Sequence, residues 1–358
     1  MISIIGAGPA GNYLAYLLAR KGYDVRVFEE HDKIGMPIQC TGITTGNLLD
    51  IVKLDEGYVV NKIERISVQS PNKETLEFKF KRKNIIVDRH KFDNHFASIA
   101  KSQGVKYYLK HKFINNKKGE LFFDKKRKYS TDILIGADGP YSQVAKSNGM
   151  YGKREFIYGI QALVKMELDP GLVKTYLGYG GFGWIVPENE KVARVGITAT
   201  RAITNDFWKF IKDIIKDYKL IGWQSGMIPI YNPGIKTKKE NVLLVGDAAT
   251  QVKALTHGGI IPGLIAAQEM SKSFNDYEKN WKKRIGKDLW LNLYLRNVMD
   301  RFSDKDYNKL VDLFKQEKLK KIIEEHDRDF PSKFIFELGI KEPRLLLFSR
   351  RFFSAFIA

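Results

Sequence analysis

The chain opens on a short, mostly apolar segment, Ile2 to Ile5, followed by a glycine-rich turn and a stretch in which Leu14, Leu17 and Leu18 recur on one helical face until Gly22. A second strand segment, Val25 to Glu29, with Val25, Val27 and Phe28 as its apolar residues, completes a strand-helix-strand opening. From Lys62 to Phe80 the period drops to two, with Ile63, Ile66 and Val68, then Leu76, Phe78 and Phe80, flanking Ser70-Pro71-Asn72-Lys73. That pattern predicts an antiparallel hairpin. A helix over Lys91 to Gln103, ended by Gly104, and short strands at Val105 to Leu109, Leu121 to Phe123 and Ile133 to Ile135 are predicted next.

Between residues 151 and 232 the character changes to alternating segments, Ile157 to Val164, Val173 to Leu177 and Val192 to Thr198, with aromatic residues dense among glycines. This predicts a second, mainly antiparallel sheet. A buried-strand pattern resumes at Val242 to Val245 and runs into a glycine loop and a helix, so the first domain is discontinuous in sequence. After about Lys272 the chain reads as helical and charged.

Gly6-Ala7-Gly8-Pro9-Ala10-Gly11 is a GxGxxG turn between a strand and a helix. The first glycine makes the turn, the second admits a pyrophosphate against the backbone, and the third packs helix on strand. Glu29, which ends the second strand 18 residues after Gly11, is placed to accept hydrogen bonds from ribose hydroxyls. On these residues alone the dinucleotide is either NAD or FAD. A second match, Gly178 to Gly183, runs into Trp184-Ile185-Val186-Pro187 and not into a helix, so it is rejected as a nucleotide site.

Composition narrows the picture in three places. A hydrophobic content of 44% over 358 residues suffices for a large core, while the longest apolar stretches, such as Ile260 to Ala267, are too short and too broken by Gly and Pro to span a membrane. No secretory leader is read at the N-terminus, and the single cysteine, Cys40, excludes an internal disulfide framework, so a cytoplasmic protein is expected. No metal site is expected. The net charge of +19 fits lysines scattered for solubility, as in Lys117-Lys118 and Lys125 to Lys128 at predicted hairpin turns, or an anionic partner. No helix-turn-helix, zinc-finger or aromatic-interleaved basic pattern points to nucleic acid.

Gly136-Ala137-Asp138-Gly139 and Gly246-Asp247-Ala248-Ala249, each after a buried strand, resemble the paired motifs of the flavin-dependent oxidoreductases typified by aromatic hydroxylases. The resemblance selects FAD. It implies that Asp138 and Asp247 belong to the cofactor site, that Asp247 lies on the ribityl or ribose side, and that Arg89 lies near the pyrophosphate. Gly258, Gly259 and Ile260, with Gly263 beyond, are similar to that group's glycine loop, which leads into a helix whose N-terminus faces the flavin. His257 beside them reads either as a contact to flavin or substrate or as a loop histidine with a structural hydrogen bond.

Two further segments resemble the geranylgeranyl reductase family. Gly35-Met36-Pro37-Ile38-Gln39-Cys40-Thr41-Gly42 is similar to its cysteine-containing loop beside the flavin, which adds Cys40 and Gly42 to the cofactor site. Gly181-Phe182-Gly183-Trp184-Ile185-Val186-Pro187 is similar to its aromatic prenyl-pocket motif, with Phe182 where the family usually has tyrosine and Val186 where it usually has phenylalanine. The implied fold is α/β: a Rossmann-like FAD-binding domain (residues 1–60, 84–150 and 240–272), a mainly antiparallel substrate-binding sheet domain (61–83 and 151–239) and a helical C-terminal region (273–358).

The implied activity is saturation of carbon–carbon double bonds in polyprenyl chains of membrane lipids or their precursors, with Phe182, Trp184, Pro187 and His257 at the substrate. Cys40 reads either as a small buried residue or as the leading candidate for proton delivery. With no second dinucleotide fold, electrons are expected from a transient donor, a small redox protein or NAD(P)H. The basic and apolar stretch from Leu345 to Phe356, with Arg344, Arg350 and Arg351, suits an anionic membrane surface or packing against the body. An FAD-dependent monooxygenase of a hydrophobic substrate is the alternative enzyme, and a flavin-binding electron-transfer subunit the alternative of another class.

Overall fold

The computed structural model describes residues 1–201 and 203–348. Strand β1 (Ile2–Ile5) leads through the glycine turn into α1 (Pro9–Ala19), and β2 (Val25–Phe28) returns beside it. A short strand β3 (Ile43–Thr44) and helix α2 (Leu48–Ile51) precede a long hairpin of β4 (Val59–Gln69) and β5 (Thr75–Val87), after which α3 (Arg89–Ser102) begins at once. Then come β6 (Lys106–Tyr108), three short strands β7 (Phe113–Lys117), β8 (Glu120–Phe123) and β9 (Lys128–Ser130), β10 (Ile133–Gly136) and α4 (Gln143–Ser147). Strands β11 (Phe156–Lys165), β12 (Leu172–Tyr176), β13 (Phe182–Pro187) and β14 (Val192–Ala199) follow, then α5 (Ile203–Ile214) and β15 (Lys219–Pro229). Strands β16 (Lys238–Lys239) and β17 (Val242–Leu244) lead to α6 (Ile260–Lys272). The remainder is helical: α7 (Tyr277–Trp281), α8 (Lys287–Met299), α9 (Asp304–Leu313), α10 (Glu317–Glu325) and α11 (Ile335–Lys341).

The first sheet has the order β16-β17-β10-β1-β2-β6 and is parallel except for β16. Ile5, Gly136 and Leu244 stand level across β1, β10 and β17, so the turns after these three strands emerge side by side at one edge. That edge is where open α/β sheets bind their ligands. Helices α1, α3 and α6 cover one face, burying Leu14, Phe92, Phe96 and Leu264 completely or nearly so. On the other face the small β7-β8-β9 sheet and α4 enclose Phe28, Phe123 and Val144.

The second sheet has the order β15-β11-β14-β13-β12-β4-β5-β3 and is antiparallel except where β12 runs parallel to β4. The hairpin at 59–87 therefore shares a sheet with residues 156–229, as its alternation suggested, and extends past the expected Phe80 through Val87. One element differs in kind. The region read as sheet contains α5, whose Phe207, Phe210 and Ile211 pack on that sheet.

Of the two lysine runs, Lys118, Lys125 and Lys126 stand between strands at positive φ, whereas Lys117 ends β7 and Lys128 opens β9. Residues 349–358 of the basic C-terminal stretch, Arg350 and Arg351 among them, lie outside the described residues. Among the described residues no helix is long and apolar enough to cross a membrane.

Candidate functional site

The three glycines of the first turn have three different surroundings. Gly6 has φ +102°, and a Cβ there would strike the Ala137 backbone of the neighbouring turn. A Cβ at Gly11 would strike the Gly6 carbonyl oxygen and stand 3.1 Å from the Ala137 Cβ. A Cβ at Gly8 would meet nothing within 4 Å. Gly8 therefore faces open space at the N-terminus of α1, a helix without a side-chain cap or an acidic first turn, with Pro9 at its first position and Ala10 beside it. Uncapped N–H groups at such a turn suit a diphosphate.

Glu29 closes this turn from the side: its carboxylate accepts from the Ala7 backbone N–H at 2.9 Å and from the His31 N–H at 3.0 Å. Asp138 is used otherwise. Its two oxygens accept from the hydroxyl of Ser142, the N-cap of α4, at 2.6 Å and from the Val144 N–H at 2.9 Å, so the carboxylate also supports the start of that helix. Asp247, in the turn after β17, keeps its carboxylate toward the loop before α6, with one oxygen 2.8 Å from where a Gly259 Cβ would stand. Burial pushes its carboxyl pKa up, against the opposing charges of Arg89 and Arg154.

Arg154 was not singled out in the sequence. It donates to the Pro140 oxygen at 3.1 Å and to the Ala248 oxygen at 2.7 Å, and its guanidinium lies 4.2 Å from the Tyr151 ring centroid. It thereby ties the turns after β10 and β17 together.

Arg89 opens α3 and pairs with Asp93 at 2.9 Å, one turn on. Burial disfavours its charge, but Asp93 and the adjacent Cys40 side chain outweigh that and hold its pKa above the ordinary arginine value. Cys40 is half-buried and also accepts from the Gly42 N–H at 3.3 Å. The loop is pinned to the second sheet: Arg194 donates to the Thr41 oxygen and, at 3.2 Å, to the Val87 oxygen, and Thr41 donates to Gln161 at 2.8 Å. Gly42, at φ +71°, has no room for a Cβ against Val87 and Arg194. The only sequence signal for Arg194 was a charge inside an otherwise apolar strand.

Phe182 stacks on His257 with centroids 5.2 Å apart and rings within 11° of parallel, and it meets Trp184 at 5.8 Å. Both His257 ring nitrogens are sealed from solvent without a partner among the described residues, and burial, then Arg296, pulls the imidazole pKa down to about 3. The structural hydrogen bond expected of a loop histidine is thus not made by its ring. Pro187 is not brought to this group: it ends β13, and strand alternation puts its ring on the face opposite Phe182 and Trp184. In the rejected second glycine run, Gly183 makes room for the Phe210 ring and Gly181 for Thr198, so these glycines serve the chain's own packing.

Gly258 and Gly259 precede Ile260 at the uncapped start of α6. Behind Gly258 stands Lys253, with Nζ 3.2 Å from where a Cβ would be. This buried lysine, which the sequence gave no reason to select, pairs with Asp329 from the C-terminal helices.

The open cradle at Gly8, the uncapped starts of α1 and α6, and the buried Asp247 carboxylate within the field of Arg89 and Arg154 suit a dinucleotide laid across the edge of the first sheet. A family description of NAD(P)-binding Rossmann-like domains matches residues 4–55. The chain is 26% identical to a digeranylgeranylglycerophospholipid reductase of Methanosarcina acetivorans, over 88% of this chain and 89% of that protein. It is 27% identical to one of Methanocaldococcus jannaschii, over 96% of each. The solved structure of a geranylgeranyl bacteriochlorophyll reductase-like protein from Thermoplasma acidophilum superposes with a TM-score of 0.85 at 21% identity, covering 96% of this chain and 97% of that one. A flavin-dependent brominase superposes with a TM-score of 0.70 at 17% identity. The fold is one shared with a flavin-dependent protein, and the open sheet edge suits a dinucleotide. Nearly end to end, the chain is a homologue of the digeranylgeranylglycerophospholipid reductases, and the resemblance of its motifs to the geranylgeranyl reductase family extends to sequence and fold.

Proposed function

We propose that the protein is an FAD-dependent reductase that saturates carbon–carbon double bonds in geranylgeranyl chains of membrane lipids or their precursors. One observation supports the reading: Arg89 acts on both Cys40 and Asp247, and Phe182 stacks on His257 in the loop ahead of α6, in a homologue of reductases named for that lipid. When bound, FAD supplies the hydride.

The chain's own residues divide the remaining work. Gly8 and the start of α1 hold the diphosphate, and Glu29 and Asp247 accept hydrogen bonds from the cofactor's hydroxyls. Phe182 and Trp184 give the prenyl chain an apolar surface and keep water from the reacting carbons. His257, neutral above about pH 3, adds ring surface without charge. Cys40 stands as the proton source, with the Arg89 guanidinium beside the sulfur where negative charge develops as the proton leaves. A small redox protein or NAD(P)H returns electrons transiently, and the enzyme meets its lipid at an anionic membrane surface on the cytoplasmic side.

The test is anaerobic incubation of the chemically reduced holoprotein with unsaturated prenyl glycerophospholipid, followed by mass spectrometry. The expected product gains one pair of hydrogens per reduced bond. No gain under these conditions, with an oxygenated product in air and NADPH, would overturn the reading in favour of a monooxygenase.

A further inference from the structure

Helix α5 divides its large side chains between two faces. Phe207, Phe210 and Ile211 are buried on the second sheet, whereas Trp208 points outward and is 46% exposed. Beside it runs β15, the edge strand of that sheet, carrying Leu220, Ile221 and Trp223 at 39%, 46% and 45% exposure. Tyr218, on the connection between the two elements, is exposed at 39%. The rings of Trp208 and Trp223 meet at 5.4 Å, and both touch the buried ring of Phe207. Two elements thus present one rigid apolar surface, anchored from beneath by the core. Contiguous exposed apolar surface of this kind marks a site of association.

The chemistry of the rim selects the partner. Lys209, Lys212, Lys216 and Lys219 are all exposed along the same stretch. Of the nearby acids, Asp206 is half-buried, Asp213 takes a hydrogen bond from the Tyr179 hydroxyl, and Asp217 is exposed. Tryptophan and tyrosine favour the boundary between hydrocarbon and water, and lysine lays its stem on apolar surface while its ammonium reaches phosphate. A chain of net charge +19 adds long-range attraction to anionic lipid. A lysine on an edge strand also discourages pairing with a second copy.

We propose that the Trp208–Trp223 surface is a bilayer-docking face that seats the protein on anionic phospholipid headgroups. The inference deepens the reading of a membrane-lipid substrate and rests on it, but its test needs no catalysis. Full-length holoprotein is sedimented with vesicles of phosphatidylglycerol and phosphatidylcholine that contain no prenyl chains, and with vesicles of phosphatidylcholine alone. Wild-type protein is expected to bind the anionic vesicles, less so at high salt, with a blue shift of tryptophan emission. The Trp208→Ser/Trp223→Ser variant is expected to bind roughly tenfold more weakly, about 1.4 kcal/mol, at unchanged FAD content and melting temperature. The proposal falls if the variant binds as wild type does, if wild type stays in the supernatant, or if free protein is a dimer that the double substitution makes monomeric. Intact vesicle binding alongside a failed reductase assay would strike the enzymatic reading alone.

Discussion

Lys253 and Asp329 form a buried ion pair between the loop ahead of α6 and the C-terminal helical region, and Asp329 also accepts from Thr45 and, at 2.8 Å, from Asn47. Breaking such a pair from one side strands a desolvated charge, whereas replacing both partners by apolar groups does not. Asp329→Asn is therefore expected to cost about 3–5 kcal/mol in urea unfolding, and Lys253→Met with Asp329→Asn, which removes both charges but keeps an acceptor for Thr45 and Asn47, much less. Equal losses in the two variants would show that charge pairing is not what the site needs.

Gly8 and Gly11 are expected to fail differently. A methyl at Gly11 collides with backbone, so Gly11→Ala is expected to lower the melting temperature even without cofactor. Gly8→Ala meets no protein atom, so its unloaded melting temperature should match wild type while FAD affinity falls by about tenfold or more, about 1.4 kcal/mol. Flavin titration of both variants separates cradle from scaffold.

The depressed imidazole of His257 makes stability depend on pH in a stated window. Below the unfolded value of 6.5 the unfolded chain takes up a proton that the folded chain refuses until about pH 3, so this residue's contribution is full above that window and is lost on acidification. Between pH 7 and pH 5 the loss is about 2 kcal/mol. Unfolding of His257→Phe at the two pH values should show an acid sensitivity smaller by about that amount, and identical sensitivities would refute the assignment.

Cys40→Ala is expected to retain bound FAD and to slow the anaerobic reoxidation of reduced flavin by prenyl lipid about a hundredfold. Stopped-flow absorbance reads this step directly. An unchanged rate would move the proton source elsewhere.

Much of the fold was legible because its signals are local. The turn after Ile5, the alternation around Ser70 to Lys73 and the apolar runs of β10 and β17 each announce themselves within a few residues. Helix α5 was not, because twelve residues between two strands offer one short apolar stripe that reads as further alternation. The surroundings of two site residues were hidden for another cause. Asp138 looks like its counterpart Asp247 until Ser142 and Val144 are seen to occupy it, and Pro187 looks like part of an aromatic motif until the pleat turns it away. Arg154, Arg194 and Lys253 stayed hidden because their partners stand 94, 153 and 76 residues away in sequence.

The nesting of one sheet inside the other sets an order for biogenesis. While the chain leaves the ribosome, β10 has an open flank until β17, about a hundred residues later, arrives to cover it. Everything translated in that interval belongs largely to the other sheet, whose β12 must meanwhile find β4 from much earlier in the chain. A cut at residue 150 leaves an unpaired strand in each sheet, so a nascent product stalled there is expected to be a client of chaperones rather than a stable nucleotide-binding module.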